Sequence, residues 1–228
     1  FISDVVLPDV AVLDPRMTMG LPPRTTASTG FDTLCHAIEA YSCLQKNPVS
    51  DVYALTAISL VAQNLTRAVK NGRDQEARCG MANASYLAGS AFSNSMVGIV
   101  HAIGHALGSI AHVPHGEAMA ILLPVCMRYN LRYCRETYSR ILLELEGPEV
   151  YSRTPEKDRA KAAAVSVKRL ANRLHRLSGM PVTLAQAGVN ETQFGEIARV
   201  AVDDGAMIVN PRPAGYEDVI RILEAVRG

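Results

Sequence analysis

Apolar residues recur along most of this chain at the spacing of an α-helix. From about residue 26 onward they return every three or four positions, which places them on one face of a helix. The pattern predicts helices at roughly 26–42, 51–70, 74–93, 98–110, 115–129, 132–146, 157–178, 191–204 and 216–227. The first should begin between Thr26 and Thr29, and Ser50 or Asp51 can cap the second. Glycine and proline predict the breaks, at Gly72, Gly147-Pro148, Gly179 to Pro181, Gly205 and Pro211 to Pro213.

The first twenty residues have a different pattern. Residues 5–7 and 10–13 form two short β-branched and apolar runs that are broken by Pro8 and suit the edge of a sheet. Residues 21–24 form a proline-rich loop, and no convincing strand follows. The sequence therefore predicts an all-α, multi-helix domain over residues 21–228 with a short extended lead-in over residues 1–20.

Composition agrees with helices and excludes several classes of function. Apolar residues make up 48% of the chain, aromatic residues only 5%, and tryptophan is absent, which favours close-packed helices. The net charge is +1 and no basic block occurs, so nucleic acid is not an expected partner. No apolar run approaches the ~20 residues that span a bilayer.

The cysteines indicate a reducing compartment. The chain has 5 cysteines, an odd number, and they show no paired spacing. Free thiols are typical of the cytoplasm, where we expect the protein to reside. Cys35 lies beside His36 in the sequence, but on a helix it points about 100° away from its neighbour. We interpret it as a thiol of the core.

All the histidines except His175 fall in two short segments. Asp32 and His36 are spaced i, i+4, which on a helix places both side chains on one face. His101 and His105 have the same spacing on a second predicted helix. Carboxylate oxygen and imidazole nitrogen are ligands of zinc and of ferrous iron. The two segments therefore hold a complete set of ligands for one divalent ion.

The spacing alone does not select the ligands of the second segment. Among His101, His105, His112 and His115, any could be the spare residue. His112 precedes Val113-Pro114 and is interpreted as a loop residue. His175 lies in an Arg- and Leu-rich helix, where we expect it to face solvent.

Longer motifs around these histidines resemble a known family. Residues 26–41, which read Thr-Ala-Ser-Thr-Gly-Phe-Asp-Thr-Leu-Cys-His-Ala-Ile-Glu-Ala-Tyr, are similar to a signature of the iron-containing (group III, metal-dependent) alcohol dehydrogenases. Residues 98–108, together with 115–118 and 122–124, resemble the family's second signature. Residues 210–213 and the final helix are also typical of its C-terminus, so the resemblance covers essentially the whole chain.

The resemblance implies a helical domain like the C-terminal domain of dehydroquinate synthase, with a metal site and a reaction. It implies these metal ligands: Asp32, His36, His101 and His115. It places His105 near the nicotinamide and the substrate, as a catalytic residue that relays a proton and contacts the cofactor. Leu21, Pro22 and Thr25 match a loop that faces the nicotinamide. The implied reaction interconverts an alcohol and an aldehyde or ketone with NAD or NADP, through Fe²⁺ or alternatively Zn²⁺.

One expected part is absent from the sequence. Family members bind the dinucleotide mainly through an N-terminal α/β domain with a glycine-rich phosphate loop, and the single, scattered glycines here make no such loop. We therefore expect this chain to be the C-terminal helical half of a longer homo-oligomeric enzyme, with residues 1–20 as the junction to the missing domain. Two other hypotheses remain: a stand-alone metal-binding or oligomerisation module without turnover, and a sister enzyme such as glycerol dehydrogenase or dehydroquinate synthase.

Overall fold

The computed structural model describes residues 8–228, which form helices joined by short connections. The predicted all-α fold is confirmed for this part of the chain. Short 3₁₀ turns lie at Pro15–Thr18 and Glu191–Gln193. The α-helices are α1 Pro23–Ser42, α2 Pro48–Lys70, α3 Gln75–Ser93, α4 Ile99–Ala111, α5 His115–Asn130, α6 Arg135–Arg153, α7 Glu156–Ser178, α8 Phe194–Val202, α9 Gly205–Ile208 and α10 Tyr216–Ala225.

Helices α1 and α2 both begin at a proline, earlier than predicted. Pro23 and Pro48 stand at the first helical position, where proline leaves no N–H unsatisfied and its fixed φ suits a helix. The cap of α2 is Asn47, whose side-chain oxygen accepts hydrogen bonds from the backbone N–H groups of Val49 and Ser50. The predicted start between Thr26 and Thr29 and the predicted caps Ser50 and Asp51 were therefore wrong.

Two further boundaries differ from the prediction. The break at Gly147 is present, with φ 81° and ψ 173°, but a second helical segment follows it to Arg153 within α6. The predicted helix over 191–204 is a 3₁₀ turn followed by α8, and α9 begins at Gly205, where only a break was expected. Asp204 explains α9, because its carboxylate accepts the Ala206 N–H and caps the new helix.

The lead-in forms no sheet edge in the described part of the chain. Residues 10–13 lie in neither a helix nor a strand, since residues 8–228 offer them no strand partner. Residues 5–7 lie outside the described residues. Asp14 instead caps the turn Pro15–Thr18 by accepting the Arg16 N–H. The assignment of residues 1–20 to a junction stays a prediction.

Helix α1 is the centre of the fold. It packs against α2, α3 and α5, and its Phe31, Leu34 and Ile38 are buried in the core. Gly116, in the first turn of α5, lies so close to α1 that an added Cβ would be 2.6 Å from the Ser28 carbonyl oxygen. A side chain is excluded there, and α5 therefore begins in close contact with α1. Among the described helices none is both long and apolar enough to cross a membrane.

We predict that Gly116→Ala lowers the free energy of unfolding by roughly 1–3 kcal/mol, because the new methyl group meets rigid backbone. Gly89→Ala is the matched control: Gly89 lies inside α3, and an added Cβ there meets no atom of the described residues within 4 Å. It should raise the free energy of unfolding by roughly 0.4–1 kcal/mol. Chemical denaturation of the chain measures both. Equal effects of the two substitutions would show that the contact between α1 and α5 is not tight.

Candidate metal centre

The structure brings together one aspartate and three histidines from three helices. Asp32 and His36 lie one turn apart on α1, His101 lies in the first turn of α4, and His115 is the first residue of α5. One ligand atom from each of the four lies within 4.8 Å of the others. Pro114 ends the loop after α4, and the contact of Gly116 with α1 fixes the start of α5. These local features carry His115 to the ligand face of α1.

The three imidazoles surround a single oxygen of Asp32 without bonding to it. The distances from Asp32 Oδ1 are 3.6 Å to His36 Nδ1, 3.7 Å to His101 Nε2 and 3.4 Å to His115 Nε2. All exceed the usual 2.7–3.2 Å of a nitrogen–oxygen hydrogen bond. Asp32 Oδ1 and His101 Nε2 are buried atoms with no hydrogen-bond partner among residues 8–228. Buried polar atoms are rarely left unpaired, and these two face a space that suits one cation.

The electrostatics of the cluster also suit a cation. Burial, and then the nearby His101, lower the pKa of His36 to about 4, which keeps its ring neutral. Burial opposes ionisation of Asp32, but the three histidines prevail and hold its pKa below the usual value. The Asp32 carboxylate raises the pKa of His115. Metal ligands must be neutral imidazoles and ionised carboxylates, so a cation and a proton compete for His115.

His105 lies beside the cluster but is not one of the four converging ligands. Its ring centroid is 5.6 Å from that of His115 and 5.9 Å from that of His101. Its Nδ1 lies 2.8 Å from Asp204 Oδ2, and its side chain is 49% exposed. His105 therefore stands at the open rim of the cluster, held by a carboxylate from the segment before α9.

The other two histidines lie apart from the cluster. His112 is exposed and ends α4 in the left-handed conformation, with φ 55°, which agrees with the predicted loop position. His175 is half-buried, and its Nδ1 lies 2.8 Å from the Met180 carbonyl oxygen. The prediction that His175 faces solvent was wrong, because the chain turns back after Gly179 and covers the ring.

Cys35 is fully buried, which confirms the predicted core thiol. Its Sγ lies 3.9 Å from His101 Nδ1, and with Glu39 these residues form a second group whose ligand atoms are close together. Burial raises the pKa of the Cys35 thiol well above its ordinary value. A metal takes the thiolate, so this group is the poorer candidate for an ion.

The predicted nicotinamide loop lies at the start of α1. Leu21 and Pro22 precede the helix, whereas Thr25 is exposed within its first turn, so that part of the predicted loop is helical. Arg24 forms an ion pair with the buried Glu117 of α5. This pair fixes the first turn of α1 beside the helix that carries His115.

Two carboxylates next to the histidines were missed by the sequence analysis. Glu39 Oε2 lies 2.6 Å from His101 Nδ1, and Asp204 Oδ2 lies 2.8 Å from His105 Nδ1. Glu39 had a detectable signal, because it falls three residues after His36 on the ligand face of α1. Asp204 had none, since it is far from His105 in sequence and only tertiary packing joins them.

Comparison with known proteins places this arrangement in a family. A 1,3-propanediol dehydrogenase from Klebsiella pneumoniae is 41% identical over 217 residues, which is 95% of this chain and 54% of the relative. A crystal structure of 1,3-propanediol oxidoreductase superposes with a TM-score of 0.91 at 39% identity, over 96% of this chain and 56% of that one. Sulfoacetaldehyde reductase from Bifidobacterium kashiwanohense, solved in complex with NAD⁺, has a TM-score of 0.85 at 28% identity, over 99% of this chain and 56% of its own.

The chain thus spans about half the length of the relatives that it matches. The sequence model of the C-terminal part of the Fe-containing alcohol dehydrogenase family matches residues 26–227, which include all four converging ligands. The chain therefore belongs to the Fe-containing alcohol dehydrogenase family.

Proposed function

We propose that this chain is the helical, metal-binding part of an NAD- or NADP-dependent alcohol dehydrogenase that interconverts a small alcohol and its aldehyde or ketone. The observation that carries the proposal is the convergence of four candidate ligand atoms. Two of them, Asp32 Oδ1 and His101 Nε2, are buried and have no hydrogen-bond partner within the described residues. The relatives named as dehydrogenases and reductases support the same reaction class.

The residues that would hold the ion are Asp32, His36, His101 and His115. Ferrous iron is the first choice and zinc the second, because a set of three imidazoles and one carboxylate suits both. The ion, when bound, supplies positive charge that stabilises negative charge on the oxygen of the alcohol. One carboxylate among three neutral rings leaves the centre with a net positive charge.

The exposure of the ligands indicates where the substrate enters. Only 2% of the His101 side chain and 20% of the Asp32 side chain are exposed, whereas 41% of His115 is exposed. His105 lies beside His115 on this open side. An alcohol approaching the centre therefore meets His115 and His105, while the buried residues hold the opposite side closed to water.

His105 is proposed as the catalytic proton carrier and as a cofactor contact. Its Nδ1 is bonded to Asp204, which holds the ring in place, so Nε2 is the ring nitrogen that remains to meet the substrate. Imidazole is the side chain that most often acts as a general acid or base. We propose that Nε2 receives the proton of the alcohol and returns it in the reverse reaction.

The dinucleotide is proposed to lie between these helices and a domain that precedes them. Leu21, Pro22 and Thr25 are the proposed contacts to the nicotinamide end, because the Arg24–Glu117 ion pair fixes this segment beside the helix of His115. The relative solved with NAD⁺ supports such use of the cofactor. The remaining partners proposed are the small alcohol or aldehyde and further copies of the protein.

We predict that His115→Ala sharply reduces the metal content of the chain, because it removes one of four ligands. His112→Asn is the control, since His112 is exposed outside the cluster and asparagine tolerates its left-handed conformation. Anaerobic loading with Fe²⁺ or Zn²⁺, followed by metal analysis, measures both. Full stoichiometric metal in His115→Ala would remove His115 from the ligand set.

We predict that His105→Ala keeps its metal and loses turnover by roughly 10²–10⁴-fold, the usual contribution of a general acid or base. The assay follows reduced nicotinamide formed from simple alcohols by the protein in which this chain is joined to its dinucleotide-binding domain. His112→Asn should retain full activity. Loss of the metal from His105→Ala would mean that the wrong histidine was assigned to the ion, and an inactive parent protein would favour a metal-binding module without turnover.

We predict that residues 1–228 alone bind NAD(H) or NADP(H) weakly and oxidise no alcohol. Dinucleotide affinity depends on backbone N–H groups that cradle the pyrophosphate, and the sequence has no glycine-rich loop to supply them. Each ~1.4 kcal/mol of lost contact weakens binding about tenfold. Calorimetric titration tests this, and micromolar binding or steady turnover would contradict it.

A further inference from the structure

Glu39 is a buried carboxylate that contacts the metal centre from behind. It lies on α1, is 5% exposed, and faces the first turn of α4. Its Oε2 is 2.6 Å from His101 Nδ1, and the same oxygen accepts the His101 N–H at 3.3 Å. Its Oε1 accepts the Val100 N–H at 2.8 Å. Two carboxylate oxygens thus serve three nitrogens.

These bonds replace the cap that α4 lacks. The residue before the helix is Gly98, which has no side chain to bond the free N–H groups. Asn210 Oδ1 lies 3.3 Å from the Ile99 N–H, and Glu39 takes the next two N–H groups. A Cβ at Gly98 would lie 3.0 Å from both acceptors, so glycine lets them approach the helix end.

We propose that Glu39 is a positioning residue of the metal centre: it holds His101 with the proton on Nδ1 and directs Nε2 toward Asp32, so that metal affinity depends on a residue that does not touch the ion. This inference rests on the proposed metal site. A carboxylate accepts hydrogen bonds and donates none, so the nitrogen beside it must be N–H. The unshared electron pair of the ring is then on Nε2, the buried atom to which residues 8–228 offer no hydrogen-bond partner. Carboxylates behind ligating histidines commonly fix the ring in this way.

The geometry distinguishes this arrangement from a second ion held by Cys35, Glu39 and His101. Two ligand atoms that each lie about 2.0–2.2 Å from a tetrahedral ion are more than about 3 Å from each other. Glu39 Oε2 and His101 Nδ1 are only 2.6 Å apart. This distance suits a hydrogen bond and leaves no space for an ion between the two atoms. Cys35 Sγ, at 3.9 Å from the same nitrogen, does not displace the carboxylate.

The decisive variant is Glu39→Gln, which preserves volume but offers one oxygen to three N–H groups. If its amide N–H₂ faces the ring, Nδ1 must become the acceptor and the proton moves to Nε2, where it blocks ligation. If the amide oxygen faces the ring, the amide N–H₂ faces the Val100 N–H, and two hydrogen-bond donors then oppose each other. We expect Zn²⁺ affinity, measured by competition with a chromophoric chelator, to fall roughly 10–100-fold.

Asn210→Ala is the control for lost stability, because Asn210 bonds the same helix end through Ile99 rather than His101 and also pairs with the buried Asn130 side chain. It should lower the stability of the chain and leave Zn²⁺ affinity nearly unchanged. Equal loss of affinity in both variants would assign Glu39 to capping alone and overturn the inference. Unchanged affinity in Glu39→Gln would overturn it while leaving the metal site intact. Failure of the unsubstituted chain to bind Zn²⁺ would overturn the metal site and this inference together.

A second measurement does not depend on the folding of a variant. Nitrogen NMR of the unsubstituted, metal-free chain reports which ring nitrogen of His101 carries the proton. The inference requires the proton on Nδ1 when the ring is neutral. A neutral His101 with its proton on Nε2 would overturn it even if Glu39→Gln proves insoluble.

Discussion

A single carboxylate oxygen, Asp32 Oδ1, is the point on which this structure converges. It is buried, it has no hydrogen-bond partner in the described part of the chain, and three imidazoles from three helices lie 3.4 to 3.7 Å from it. An unpaired buried polar group costs roughly 1–3 kcal/mol, more when it is charged, so the fold keeps this oxygen at a cost. At the proposed metal site, a bound divalent ion would remove that cost. The packing of α1, α4 and α5 brings the four proposed ligands together around this oxygen.

The scaffold depends on close helix contacts that only small residues allow. Gly116 lets the first turn of α5 contact the backbone of α1, and Gly98 lets two distant side chains reach the start of α4. His101 and His115 thereby lie in the first turns of α4 and α5, which these contacts hold against α1. His101 and Asp32 lie on the buried side of the cluster, and His115 and His105 lie on its open side. This asymmetry suits the proposed centre, which has to hold an ion on the buried side and admit a substrate from the open side.

Much of this arrangement could be predicted from the sequence, and the missing parts have physical reasons. The spacing of Asp32 and His36 was enough to predict that their side chains lie together, because residues four apart occupy one face of a helix. The choice between His101, His105 and His115 depends on how α4 meets α5, which spacing does not encode; the family resemblance supplied it. Asp204 contacts His105 only because of tertiary packing, so no local sequence pattern predicts this contact. The early start of α1 was missed because Pro23 was treated as a loop residue, although proline suits a first helical position.

X-ray absorption spectroscopy of the chain loaded with one equivalent of Zn²⁺ would identify the atoms that bind the ion. We expect nitrogen and oxygen neighbours at roughly 2.0–2.2 Å, with the more distant scattering of three imidazoles and no sulfur. Sulfur at about 2.3 Å would place the ion with Cys35, Glu39 and His101. A shell of oxygen alone, without imidazole scattering, would show that the four residues do not hold an ion together.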